Sequence, residues 1–306
     1  MENPKVSVVM ASRNNIKYLF RAVESILSQN FSDFEFIILD DFSDENCVDE
    51  VKRYADNRIK LIEFKNRNGI APLLNYGISI SKGNYIAIMD NDDISLRDRL
   101  KYQVDFMESN KDIDICGTRY YRINEDDSLI NLHNGKYTDD EIKTALLLGE
   151  TSIHHPTAMI RKSSLMKSGM RYEREFNMAE DFRLWCKCSI TMKFANLPIP
   201  LYKYRVHPRS TSVEYFKTQR LIARQILKQH MENLKIPFSP NELNCHYQYS
   251  LSLIEDLKNI SSEEMLSWHK KLKEYIFLNK LFDYDVFECI ANEKLEKALN
   301  KLEKYQ

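Results

Sequence analysis

Apolar and polar positions alternate in blocks over the first ninety residues. Val6-Ser7-Val8-Val9-Met10, Phe34 to Leu39, Ile59 to Phe64 and Tyr85 to Met89 are short, strongly apolar runs of strand length. Between them, Ile16 to Gln29 sets Leu19, Ala22, Val23, Ile26 and Leu27 at helical spacing. A charged helical stretch is expected from Glu45 to Ala55 and another helix from Pro72 to Ile80, closed by Lys82-Gly83. Strand and helix in strict alternation predict right-handed crossovers and a mostly parallel sheet with helices on both faces. Each strand ends in polar residues, so Ser12, Asn14, Asp41, Asn68, Asp90 and Asp92 should gather along one sheet edge. That edge is where such sheets bind ligands.

The pattern then loosens. Arg97 to Ser109 and Asp139 to Leu148 read as helices; Ile113–Gly117 and Tyr120–Ile123 read as strands of a mixed continuation. Short strands are expected at Phe194–Leu197 and Leu201–Val206. Beyond about residue 212 strand signals vanish and helical series follow, near Glu242–Lys258, Ser262–Leu278 and Asp283–Lys304. The predicted organisation is a catalytic part over 1–212, with halves of about 1–95 and 96–212, and a helical region over 213–306.

Composition narrows the classes. Lys and Arg total 44 against 45 Asp and Glu among 306 residues, which gives no electrostatic case for nucleic acid. The tail is balanced too, so it is not a basic membrane arm. Its expected role is packing on the catalytic part or on a second copy of the chain, with Trp268 and Tyr275–Leu278 as the apolar material. Six scattered cysteines fit free thiols in a reducing compartment. Met1–Pro4 lead straight into the first strand, so no signal peptide is expected, and no apolar run approaches a membrane span. A cytoplasmic protein is expected, with peripheral contact at the inner face of the cell membrane allowed.

The chemistry concentrates at Asp90-Asn91-Asp92-Asp93, where an apolar run stops in a burst of carboxylates. Buried acids without partners are costly, whereas a strand tip facing a cation tolerates them. Oxygen donors at this spacing suit a hard divalent ion that also holds phosphates. Asp93 alone also reads as a helix cap.

The set Val6–Val9 with Ser12-Arg13-Asn14, Ile38–Asp44, Asn68-Gly69 with Leu74-Asn75, Lys82–Ala87 into Asp90–Asp93, Ala179-Glu180-Asp181 with Trp185, and Tyr204–His207 with Ser210 resembles the family 2 glycosyltransferases. The resemblance covers roughly residues 4–212. It implies the GT-A fold, a Rossmann-like mostly parallel sheet with flanking helices. It also implies inverting, Mg²⁺- or Mn²⁺-dependent transfer of a hexose or N-acetylhexosamine from a UDP-sugar to a glycan or lipid-linked glycan, as in bacterial surface polysaccharide synthesis. On this reading Asp92 and His207 hold the metal and Asp181 is the base beside Glu180. Asp41 reads the pyrimidine, helped by Ser12, Asn14, Arg67, Asn68, Asn75 and Asn91. Asp90 lies toward the ribose, Arg205 closes on the diphosphate with Arg209 as its substitute, and His154 and His155 face the acceptor. Two positions depart from the family pattern, the loop Met10–Asn14 and Phe42, where glycine is usual. A nucleotidyltransferase is the alternative enzyme class, disfavoured because Ser12–Asn15 has no glycine for a phosphate loop. A non-catalytic partner subunit is the other alternative, disfavoured by the retained acids.

Overall fold

The computed structural model describes residues 3–44, 46–208, 210–251 and 260–305. The predicted helix start at Glu45, the end of the helix reaching Lys258, and Arg209 lie outside the described residues. The first half follows the alternation: β1 (Val6–Ser12), α1 (Ile16–Leu27), β2 (Phe34–Asp40), α2 (Cys47–Lys52), β3 (Ile59–Glu63), α3 (Ile70–Ile80) and β4 (Tyr85–Met89). These four strands are parallel in the order β3-β2-β1-β4. The runs are unbroken because both faces are covered. Val9, Ile37, Leu39, Ile86 and Ile88 enter one core with Leu73 and Leu74 of α3. Their neighbours Val8, Met10, Phe36, Ile38 and Ala87 enter a second core with Leu19, Val23 and Ile26 of α1.

The second half extends the same sheet. β5 (Ile94–Ser95), α4 (Arg99–Ser109), β6 (Ile115–Ile123), β7 (Leu129–His133), α5 (Asp139–Leu147), β8 (Met159–Arg161), α6 (Lys162–Ser168), α7 (Glu180–Cys188) and β9 (Phe194–Arg205) follow. β8 joins β4 antiparallel and β6 joins β8 antiparallel, while β6 and β9 run parallel. Each predicted pair of short strands is thus one long strand. β6 and β9 pass through register shifts at Thr118–Tyr120, which break the period-2 pattern that would have identified them as continuous. β5 and β7 were not anticipated; β5 is too short to leave a pattern.

The helical region is not a detached unit. After α8 (Thr211–Glu214), α9 (Phe216–Asn233) places Ala223, Ile226 and Leu227 in the sheet's own core. α10 (Pro240–Leu251), α11 (Ser262–Asn279) and α12 (Tyr284–Tyr305) form a third core that includes Leu147 of α5 and Leu148. Trp268 and Ile276 are buried there, whereas Phe277 and Leu278 on the other side of α11 are exposed.

Gly83 shows why the crossover from α3 to β4 closes tightly. It lies past the end of α3, which stops at Ile80. A Cβ on Gly83 would stand 2.5 Å from the backbone nitrogen of Ser7 and 2.6 Å from the carbonyl carbon of Val6. Its N–H donates to Ser7 Oγ at 2.8 Å. The residue serves close approach of two backbones rather than helix termination. Gly83→Ala should therefore destabilise the protein by about 1–3 kcal/mol; an unchanged midpoint in chemical denaturation would contradict this.

Candidate active site

The acids after β4 form one cluster. Oxygens of Asp90, Asp92 and Asp93 all lie within 4.8 Å of one another. Burial, then Asp92, push Asp90 up to about 8, and burial pushes Asp93 well above the usual carboxylate range. The surroundings supply compensation. Arg205 N donates to Asp93 Oδ1 at 2.7 Å, and Arg205 Nε donates to the Asp92 carbonyl at 2.7 Å. His207 Nε2 is 2.9 Å from Asp92 Oδ2, its ring against Tyr18. Beneath the cluster, fully buried Arg99 donates to the Ile88 carbonyl at 2.9 Å and bonds Gln103 Oε1 at 3.0 Å. These residues fit a hard divalent cation: the three acids offer oxygen donors, and Asp93 Oδ2 is buried with no hydrogen bond among the described residues.

Two expectations change here. Asp93 is not a helix cap: α4 begins at Arg99 after Asp98, and β5 intervenes. Arg205 is not a lid over the cleft. It is fully buried, its Nη1 2.5 Å from Asp127 and 3.0 Å from the Asn124 carbonyl, with its guanidinium over the Tyr18 ring. Strand alternation is the reason: Tyr204 of β9 lines the cleft, so Arg205 faces the opposite side.

The tips of β1, β2 and β4 are tied together by side chains expected to bind nucleotide. Asp41 accepts from Asn68 N at 2.6 Å and Gly69 N at 2.9 Å, holding the loop before α3 where Gly69 has φ +86°. Asn14 Oδ1 accepts from Asp44 N at 2.8 Å, and Asn91 Nδ2 donates to Ser12 Oγ at 3.0 Å. Phe42 has φ +57°, which explains the usual glycine there, and its ring is exposed. Asn75 is committed elsewhere: both ends of its amide bond the Tyr172 backbone, at 2.8 and 3.0 Å.

A cavity of about 550 Å³ brings together Ser12, Asp41, Arg67, Asp90, Asp92 and Asp181. Glu180 and Asp181 open α7 one residue beyond Met178, a non-glycine residue at φ +77°, with Ala179 between. Asp181 Oδ1 accepts from Phe182 N at 2.7 Å. Glu180 is buried, its Oε2 lacks a partner among the described residues, and burial followed by Asp181 pushes it up to about 7. His155 Nε2 is 2.8 Å from the Tyr172 hydroxyl. His154 stacks on Tyr120 at 4.1 Å between ring centres, and burial drives it down to about 3, so it is a neutral wall residue.

Arg13, Tyr204 and Gln219 also line this cavity and were not singled out from sequence as site residues. Arg13 stands in the quoted Ser12-Arg13-Asn14 loop, and its Nε is buried without a partner among the described residues. Gln219 comes from α9 and donates to the Met178 carbonyl at 2.7 Å, a contact with no local signature.

An open mixed sheet with acids at a strand tip, facing a cleft built from neighbouring tips, is the layout of a GT-A glycosyltransferase. The chain belongs to glycosyl transferase family 2, whose family model matches residues 7–169. It is 34% identical over 241 residues to an uncharacterised glycosyltransferase of Methanocaldococcus jannaschii, covering 77% of this chain and 82% of that one. It is 32% identical over 262 residues to the O-antigen biosynthesis glycosyltransferase WbnJ of Escherichia coli, covering 82% and 97%. Among solved structures it is similar to the 1–349 fragment of S. aureus TarS with UDP-GlcNAc, with TM-score 0.60, 18% identity and coverage of 98% and 89%. Against the longer TarS structure the coverage of that chain is 55%.

Arg205 and Glu180 each yield a test. Arg205→Met removes the buried cation beside Asp127, leaving it only the more exposed Arg21, and strips the side-chain bonds to the Asp92 and Asn124 carbonyls. It should cost about 3 kcal/mol or more of stability, read by denaturant titration; a phosphate-lid role would lower activity and leave stability alone. Glu180 holds its proton in the folded state up to about pH 7, whereas the unfolded chain releases it near the ordinary glutamate value of 4.5. Folded stability therefore falls as pH rises between those values, by as much as about 3 kcal/mol. Glu180→Gln should remove that slope, becoming more stable than the parent at pH 8 but not at pH 4; parallel pH–stability curves would refute it.

Proposed function

We propose that this glycosyltransferase is inverting and metal-dependent, and moves a hexose or N-acetylhexosamine from a UDP-sugar to a hydroxyl of a glycan or lipid-linked glycan. The observation that carries the reading is the single cleft in which the Asp90–Asp92 acids, Asp41 and Asp181 meet. A nucleoside diphosphate leaves poorly until a cation balances its developing charge, which is the chemistry Mg²⁺ or Mn²⁺ supplies when bound. Asp92, with His207 beside it, holds that ion, and Asp90 lies toward the ribose. Asp41 keeps acceptor capacity beyond its two backbone bonds and takes the imide N–H of the pyrimidine. Ser12, Asn14 and Asn91 shape that pocket by bonding one another, while Arg67 and Arg13 stand where Arg205 was expected.

Asp181 takes the proton of the acceptor hydroxyl as its oxygen attacks the anomeric carbon. Glu180, which keeps its own proton up to about pH 7, positions the acceptor hydroxyl beside Asp181. One in-line displacement inverts the centre, so an α-linked donor gives a β-linked product. Residues 1–212 carry this chemistry, and 213–306 buttress it through α9. Relatives support the donor and setting. WfaP of Escherichia coli, 30% identical over 213 residues (69% of this chain, 81% of that one), is named a UDP-Glc:α-D-GlcNAc-diphosphoundecaprenol β-1,3-glucosyltransferase. A mannosyltransferase of Pyrobaculum calidifontis solved with GDP-Man and Mn²⁺ has the same fold (TM-score 0.58, 16% identity, coverage of 98% and 87%). No helix among the described residues is long and apolar enough to cross a membrane, so a lipid-linked acceptor would be met at the membrane surface.

A panel of UDP-sugars with MnCl₂ or MgCl₂ should give UDP release with one donor. Asp92→Asn should abolish release and metal-dependent UDP binding; Asp181→Asn should lower transfer by about 10²–10⁴-fold while UDP still binds. Full transfer by either variant, or pyrophosphate release from UTP and a sugar 1-phosphate, would overturn the assignment.

A further inference from the structure

The catalytic cleft continues into a second cavity of about 720 Å³, sharing Thr151, Met178, Asp181, Tyr204 and Gln219 with it. Its other walls come from the end of β6, the loop after β7, residues 149–152 and α9. Three cations line it: Arg122, Lys136 and Arg220. All three are half-buried, and none has a carboxylate at ion-pair distance among the described residues. Burial lowers the proton affinity of Arg220, whose guanidinium rests on the Phe216 ring. The acids facing this space are Asp181, at the junction with the cleft, and Glu150, which is paired with Lys294 at 2.5 Å. Burial, then Arg122, lower the proton affinity of His133.

A half-buried cation without a paired carboxylate forfeits hydration that a neighbouring ring or a more distant acid returns only in part. Three around one cavity, adjoining the base, leave an anion as the ligand that restores the balance. Resting on the glycosyl-transfer reading above, we propose that the acceptor is anionic and that Arg122, Lys136 and Arg220 bind its charged group while its hydroxyl reaches Asp181. Tyr204 separates the two ends: its ring lies between the cavities, fixed edge-on by His154 at 4.6 Å and Tyr120 at 6.0 Å. The charge could be a diphosphate on the acceptor's reducing end or a carboxylate on its ring; both are anions of the size the cavity admits.

The test compares acceptors that share a sugar and a tail and differ in charge. Phenoxyundecyl diphosphate esters of hexoses and N-acetylhexosamines are set against the neutral phenoxyundecyl glycosides and against the corresponding uronides, with the donor that the UDP-sugar panel identifies. The expected result is kcat/KM at least roughly tenfold higher for one anionic class than for the neutral glycoside; which class it is identifies the source of the charge. Arg122→Gln, Lys136→Gln and Arg220→Gln should raise KM for that acceptor and flatten its advantage. Donor hydrolysis without acceptor and transfer to the neutral glycoside should stay at parental rates, which also reports that the variants fold. Equal use of neutral and charged acceptors, or equal loss on both in the variants, overturns the proposal. An absence of UDP release with every donor overturns the glycosyl-transfer reading instead.

Discussion

Mutual repulsion of the carboxylates at the end of β4 is the constraint around which the rest is arranged. Asp90, Asp92 and Asp93 are crowded within 4.8 Å in a poorly hydrated place. Left alone, such a cluster would protonate or pull the turn apart. The chain answers from several directions: the Arg205 backbone and Nε fasten the turn, His207 meets Asp92, and Arg99 places a buried positive charge below. None of these groups bonds Asp93 Oδ2, which has no hydrogen bond among the described residues. The fold thus holds acids in a state that a divalent ion and its diphosphate would relieve.

The rim of the cleft stores backbone strain to the same end. Asn14, Asn15, Phe42 and Met178 all have positive φ, each costing on the order of 1–3 kcal/mol. The first three bend the tips of β1 and β2 so that Asn14 interlocks with Ser43 and Asp44, while Ser12 accepts from Asn91. Met178 turns the chain sharply into α7, and Gln219 holds its carbonyl from a helix outside the sheet. The helical region therefore reaches the cleft: through α9 it supplies Gln219 to it and Arg220 to the adjoining cavity.

Residues of similar appearance in sequence divide into different roles in space. Asp41 has carboxylate capacity left after its two backbone bonds, whereas both ends of Asn75 are spent on Tyr172. His154 and His155 are adjacent, yet one is a neutral stacked wall and the other bonds a tyrosine hydroxyl. Trp268 and Phe277 belong to one helix, but only Trp268 enters a core.

The amino-acid sequence by itself determined the parallel half of the sheet, the gathering of Ser12, Asp41, Asp90 and Asp92 at its edge, and the acid pair opening α7. These depend on period, strand length and helix-terminus chemistry, which are local. Tertiary structure alone decided that β6 and β9 are continuous through their register shifts, that Gly83 serves close approach, and that Arg205 faces Asp127. It also decided that Arg122, Lys136 and Arg220 share one cavity. Each of those outcomes depends on which face of a strand or helix meets which neighbour. A shift of one residue in register reverses that, and no local pattern records it.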